Sequence, residues 1–425
     1  MAEGKRRRYV GAVTTSPNTA RTPYKAPATP WGLVIMLGSV TAFAPMSIDM
    51  YLPSLNSLGQ SLGAGPAQAQ ATLAAFLAGM AVGQFVYGPA SDRWGRRMPI
   101  LIGIGIYVLA SVACALAPTI DALIAARFVQ ALGGCAGGVV ARAVVRDRFN
   151  HTETARMLSL MMLIMGLAPV LAPLAGGAIL LAGGWRTIFW VLTVFGLLVG
   201  AAVFFKLEES RSEATAAQAR SEHPFRAYLT VLKSRRLLGY ALAGSLNGAV
   251  LFTYISGSSD LISGVYKFSP QAYSVIFAVN AFAIIGASQV NRYLLRRHSP
   301  DFVLGRASLA ATGLSVVLVL AAVTGFGGMW TVLPLLFLTL ASYGLMQGNT
   351  MAGALSVDPL RAGSVSALMG GFSFAVGAGA SWLNGVLHDG TPVPMTGVML
   401  SALIGSMIAL YALALPKRGQ EVPTV

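Results

Sequence analysis

Between Trp31 and Leu415 the chain repeats one pattern twelve times. Each repeat is an apolar run of about 20 residues followed by a short connection. A helix of that length crosses a hydrocarbon core about 30 Å thick. No water is available inside that core, so every backbone N–H and C=O must bond within the segment or to protein. The pattern therefore restricts the fold to an all-α bundle of membrane-spanning helices. Composition agrees: 55% of residues are hydrophobic and 11% charged, with mean hydropathy +0.67, whereas soluble domains carry about 25% charged residues.

Spans are predicted near 31–52, 68–91, 99–118, 121–145, 155–182, 187–206, 238–261, 271–292, 302–323, 330–354, 364–387 and 395–415. A formal net charge of +15 would suggest nucleic acid if the cations shared one face. They fall instead in clusters between the apolar runs, which excludes that partner. The second connection has Arg93, Arg96 and Arg97, the fourth Arg146, Arg148 and Arg156, and the sixth runs from Lys206 to Arg236 with seven cations. The alternate connections hold only Arg186 and Lys267. The positive-inside bias places the even connections and both termini in the cytoplasm.

The expected organisation is a disordered cytoplasmic tail at 1–30, a six-helix bundle at 31–206, a cytoplasmic linker at 207–237, a second six-helix bundle at 238–415 and a tail at 416–425. The tail at 1–30 lacks the apolar core and cleavage site of a signal peptide. Ala155–Met161 and Ala362–Leu368 are similar and open the fifth helix of each half. Cys114 and Cys135 lie in apolar runs and read as small buried hydrophobes. No phosphate-binding Gly-x4-Gly-Lys-Ser/Thr loop, His/Cys metal cluster or nucleophile elbow is present. The chain is thus expected to be no enzyme, to need no cofactor or metal, and to draw its energy from an ion gradient.

Few polar side chains lie inside spans, and these are the candidates for function. Asp49 falls between Pro45 and Pro53, where helix hydrogen bonding is interrupted. A carboxylate at membrane depth costs about 2.5–3.5 kcal/mol. That favours its neutral form and suits a group that loads and unloads a proton. The alternative is a helix-end residue at the headgroup level. Arg127, about two turns inside the fourth span, stays charged at physiological pH and needs an acceptor or water. It can tune Asp49, meet substrate, or snorkel to the interface. Asp260, in Ser256-Gly-Ser-Ser-Asp260, reads as the solvated start of a loop. Glycines four apart, Gly79/Gly83, Gly133/Gly137 and Gly134/Gly138, allow close helix packing or sliding. The turn Gly88–Arg97 adds Asp92 and Gly95 to Arg93, Arg96 and Arg97, more than topology alone requires, and reads as an ion-pair latch. In the fifth span, Gly166, Pro169, Pro173, Gly176 and Gly177 suit a bent, closely packed helix. Met46, Tyr51, Gln130, Asn247, Tyr254, Asn280, Gln347, Asn349, Trp382 and Asn384 are polar or soft residues within spans. They are candidates for a loosely selective cavity.

These residues resemble the major facilitator superfamily, and within it the drug:proton antiporters of the bicyclomycin-resistance (Bcr/CflA) type. Gly88–Arg97 is similar to the family's motif between helices 2 and 3, with Ala90 in place of the usual Leu. Ile48–Pro53 resembles its first-helix acidic motif and Arg127–Gly133 its fourth-helix arginine motif. Gly166–Gly177 resembles its fifth-helix antiporter motif, with Ala172 where Gly is usual. The resemblance implies two pseudo-symmetric six-helix bundles, alternating access to a midplane cavity, and a working monomer in the bacterial cytoplasmic membrane. Protons and small amphipathic drugs are the implied partners, with Asp49 exchanging the proton and Arg127 coupling it to substrate. Asp92, Arg93 and Arg97 would latch the cytoplasmic side with Asp147. Several members carry a second helix-1 acid where this chain has Thr41. Import of a nutrient with protons on the same fold is the alternative.

Overall fold

The computed structural model describes residues 30–149, 151–211, 213, 228, 232–358 and 361–415. The expected tails at 1–30 and 416–425, apart from Pro30, and most of the linker lie outside them. Among the described residues the chain is helical with no strand. Among these residues eleven helices are long and apolar enough to cross a membrane, and a bent pair, Trp31–Thr41 with Phe43–Ser61, supplies a twelfth. We number these spans in chain order: 1 (Trp31–Ser61), 2 (Pro66–Trp94), 3 (Arg97–Leu116), 4 (Ile120–Arg148), 5 (His151–Gly183), 6 (Trp185–Lys206), 7 (Arg235–Val265), 8 (Pro270–Leu294), 9 (Pro300–Thr324), 10 (Met329–Val357), 11 (Ala362–Val386) and 12 (Val393–Ala414).

Eleven of these spans fall within a few residues of the sequence reading. Span 1 is the exception: it continues to Ser61 and is broken twice. Pro45 has no N–H for the carbonyl of Thr41, and the helix bends by 44° there. Pro53 likewise cannot bond the carbonyl of Asp49, so the helix stops at Asp49 and a short 3-10 turn, Leu52–Ser54, follows. The extension was missed because Asn56, Ser57 and Gln60 dilute the apolar signal, although Leu55, Leu58 and Gly59 are buried.

Spans 2, 3, 4 and 6 pack on one another, as do spans 7, 9, 10, 11 and 12. Two seams join the sets, span 2 against span 11 and span 5 against span 8. Small residues set these distances. A Cβ on Gly79 would strike the carbonyl of Phe128, and one on Gly83 would strike Cys135, so this pair is a packing face between spans 2 and 4. Gly137 meets the backbone of Val40 in the same way, whereas Gly138 faces open space.

Among the described residues three hydrogen bonds cross between the halves: Asn384 Nδ2 to Gln70 Oε1 at 2.8 Å, Ser274 Oγ to the Pro173 carbonyl at 2.9 Å, and Asn56 Nδ2 to the Ser259 carbonyl at 3.4 Å. All lie toward the end that carries Gln70, away from the end that carries Arg96. The halves are therefore bonded at the Gln70 end.

Candidate functional site

Asp49 ends the second segment of span 1, next to both breaks. It is 3% exposed, and its Oδ1 is buried without a hydrogen-bond partner. The Tyr254 and Tyr273 hydroxyls of the second half lie within electrostatic reach. Tyr254 accepts from Asn280 Nδ2 at 2.8 Å, and Tyr273 bonds Ser258 at 3.0 Å. Asp49 is thus an interior carboxylate at the seam between halves, which rules out the headgroup-level helix end. No ion pair holds it among the described residues.

Span 5 presses on the same break. A Cβ on Gly176 would collide with the Met50 carbonyl, and one on Gly177 would crowd Ser274. Pro173 lies where its carbonyl accepts the Ser274 hydroxyl from span 8. Gly166, in contrast, has nothing within reach of an added Cβ. Gly176→Ala is expected to destabilise the protein by about 1–3 kcal/mol through overpacking against backbone. Gly166→Ala should be neutral or stabilise by about 0.5–1 kcal/mol, since Ala is the better helix former. Melting temperatures of the two variants in detergent check this, and equal values would refute the close span 1–span 5 contact.

Arg127 is fully buried and not paired with Asp49. Its guanidinium lies 4.3 Å from the ring centroids of both Tyr51 and Phe76, and 5.7 Å from that of Phe189. Nη1 donates to Gln130 Oε1 at 2.7 Å, and Gln130 passes a bond to Ser111 at 2.8 Å. Nε and Nη2 have no partner. The aromatic cage excludes snorkelling, because a guanidinium reaching the interface would not be sealed from solvent. Phe76 and Phe189 were missed in the sequence, where apolar aromatics in spans give no signal of a cation nearby.

The remaining cavity candidates separate. Asn247 bonds Gln347 at 3.4 Å with its Oδ1 unpartnered, and Asn349 pairs with Asn291 at 2.9 Å. Both pairs are side-chain bonds between helices of the second half. Met46 is partly buried in the core, and the Tyr51 hydroxyl bonds Thr72 at 3.1 Å. Asn384 belongs to the inter-half contact with Gln70. Trp382 is 56% exposed at the end where the halves are joined, so it faces outward and does not line a central cleft. Asp260 is also corrected. Span 7 continues through it as a π-helical turn to Val265, and its carboxylate, 15% exposed, meets His388 Nδ1 at 3.0 Å.

At the Arg96 end the hub is Arg96, and not Arg93 or Arg97. Its side chain, 4% exposed, bonds Asp92 at 2.5 Å and Asp147 at 2.8 Å. Arg97 instead donates to the Phe204 carbonyl at 2.6 Å, and Arg93 offers only its carbonyl, to Arg211. Gly88 lies beside Tyr228. Gly95 has φ +93°, and an added Cβ would meet the Glu209 carboxylate. That carboxylate accepts the backbone N–H groups of Arg96, Arg97, Ser210 and Arg211 at 2.8, 3.2, 3.0 and 2.9 Å. Glu209 and Arg211 were missed because nothing in the charged connection distinguishes them.

Burial raises the Glu209 carboxyl, but its four backbone donors outweigh this and hold it below its ordinary value of 4.5. A depressed carboxyl contributes stability in full above its ordinary value and loses it as pH falls through the depressed one. Protection of the Arg96 and Arg97 amides from hydrogen exchange, relative to an unstructured peptide at the same pH, should therefore stay high from neutral pH to about 5 and fall only below 4.5. In Glu209→Gln it should be low throughout. A transition near neutral pH would show that another group holds this turn.

The Major Facilitator Superfamily pattern matches residues 37–381. The chain is 35% identical to the "Uncharacterized MFS-type transporter YdgK" of Bacillus subtilis, over 92% of this chain and 97% of that one. It is 31% identical to the "Bicyclomycin resistance protein homolog" of Haemophilus influenzae (89% and 95% covered). It is 30% identical to the "Multidrug resistance protein MdtL" of Klebsiella pneumoniae (88% and 94%). Its fold matches the partially occluded, inward-open xylose transporter XylE of E. coli with TM-score 0.71 at 12% identity, covering 92% of this chain and 99% of that one. A broken first span, twelve helices and relatives matched over nearly their whole length lead to one assignment: the chain belongs to the major facilitator superfamily, as a multi-pass membrane transporter of the Bcr/CflA drug-transporter family and not an enzyme.

Proposed function

We propose that the protein exports drugs and other small amphipathic molecules in exchange for protons, by alternating access between bundles at 31–206 and 238–415. The reading rests above all on Asp49, a buried carboxylate with a free oxygen at the seam between halves. A group that must bind a proton facing one side and release it facing the other belongs at such a seam. Arg127, with two unpartnered N–H groups, couples that charge to the bound molecule. The drug-resistance relatives support export as the direction. In this reading the protein works as a monomer in the bacterial cytoplasmic membrane; the arginine distribution supports both termini and the Arg96 end in the cytoplasm.

Everted vesicles with an acid interior and a pH-sensitive dye provide the test. Phenicols and quinolones added outside should each release protons from the lumen. Silence toward every compound, together with nutrient-driven proton uptake by intact cells, would mean import and end the export reading.

A further inference from the structure

The charges along the path are unbalanced. Among carboxylates of spans 1 to 6, Asp92 and Asp147 are held by Arg96, and Asp121 and Glu153 lie in first turns, which leaves Asp49 in the interior. In spans 7 to 12, Asp260, Asp301 and Asp358 are each paired, with His388, Arg236 and Arg361. Of the four arginines of span 4, Arg148 alone meets a carboxylate among the described residues, Glu208 at 3.9 Å. Arg127 is fully buried with Nε and Nη2 unpartnered. Arg142 and Arg146, four apart on one helix face, are exposed and meet no carboxylate among the described residues. Like charges at that spacing work against the helix.

Arg142 lies about 9 Å inside the end of span 4. A guanidinium at that depth is costly against lipid. It is exposed, on the same face of span 4 as Gly138 one turn earlier, which also meets open space, and water against this face accounts for a charge at that depth. The inter-half hydrogen bonds lie at the other end, which leaves a mouth between the halves at this one. In the interior of the second half, Asn247 bonds Gln347 and Asn280 bonds Tyr254, and none of these side chains carries a charge. When Asp49 has released its proton, as exchange requires for the drug to bind, the described residues still hold the three guanidiniums of Arg127, Arg142 and Arg146 against one free interior carboxylate.

We infer that the protein selects molecules bearing an acidic group, a carboxylate or an anion of similar geometry, drawn in by Arg142 and Arg146. Deeper in, Arg127 is sealed by its aromatic cage in this state, and opening of the cage would turn its two unpartnered N–H groups, planar donors that such a group accepts, toward the molecule. The remaining contacts are amides and aromatic rings, which suit an uncharged, flat body. This inference rests on the export reading and names its substrate class. Organic cations are excluded by the same field.

The test compares a carboxylate quinolone with its methyl ester, which keeps the shape and loses the charge. Equilibrium binding to the purified full chain should favour the carboxylate about tenfold at low salt, less at high salt. The double variant Arg142→Gln/Arg146→Gln should lose most of that ratio, and Arg142→Lys/Arg146→Lys should keep it. Equal binding of acid and ester, or a ratio unchanged in the Gln pair, would overturn the inference. Selective carboxylate binding without substrate-driven proton release would keep it and remove export. Proton release driven by tetraphenylphosphonium, with no preference for the acid, would keep export and remove the inference.

Discussion

In Asp49→Asn vesicles, drug-induced proton release should fall at least about 100-fold, the scale on which a positioned proton-transfer group acts. The substitution keeps size and polarity and removes only the exchangeable proton. It also removes a buried group that carries a charge when deprotonated, so the protein should be expressed and melt at or above the wild-type temperature. Drug binding should survive, because Asn keeps the size and polarity of the side chain and leaves Arg127 and its cage untouched. Loss of coupling with retained binding is the signature sought. If variant and wild type released protons equally, Asp49 would be a structural residue of the span 1 break, whatever the direction of transport.

Arg127→Met is the second large effect. Losing the two close ring contacts and the Gln130 bond costs about 0.5–2 kcal/mol for each cation–π contact and about 1.5–3 kcal/mol for the charged hydrogen bond. Removing two buried N–H groups without partners returns about 1–3 kcal/mol each. The sums are comparable, and Met fills the cage with apolar volume, so stability should change little. Transport should nevertheless fall about 100-fold, because nothing else in the cage can present a fixed positive charge. Arg127→Lys should recover only part of it, since an ammonium lacks the planar fork that lies against Tyr51 and Phe76. A variant that melts normally and transports normally would make Arg127 a packing residue.

Both predictions concern residues visible in the sequence, and the reason is physical. In a chain that is 11% charged, an ionisable group inside an apolar run is costly and therefore conspicuous. Asp49 and Arg127 stood out for that reason. The same logic failed for Asp260, because a run of serines beside an acid looks like a loop when nothing indicates that His388 will arrive from the end of span 11. It failed again at the latch. Three arginines of one turn are equivalent in sequence, and only the approach of Asp147 on span 4 selects Arg96.

The number of spans, their order and the interruption around Asp49 were legible in the residues alone. These follow from local rules: hydrocarbon thickness fixes span length, and proline removes a hydrogen bond wherever it falls. Tertiary structure alone decided which polar groups are satisfied. Gln70 finds Asn384 from 314 residues away, and Ser274 finds the carbonyl of Pro173 from 101 residues away. Glu209 closes on a glycine turn 114 positions earlier. Partners this distant leave no periodic trace in the chain. Only once the helices are packed does it become clear that Asp49 and Arg127 are left without countercharges, the condition on which the proposed coupling depends.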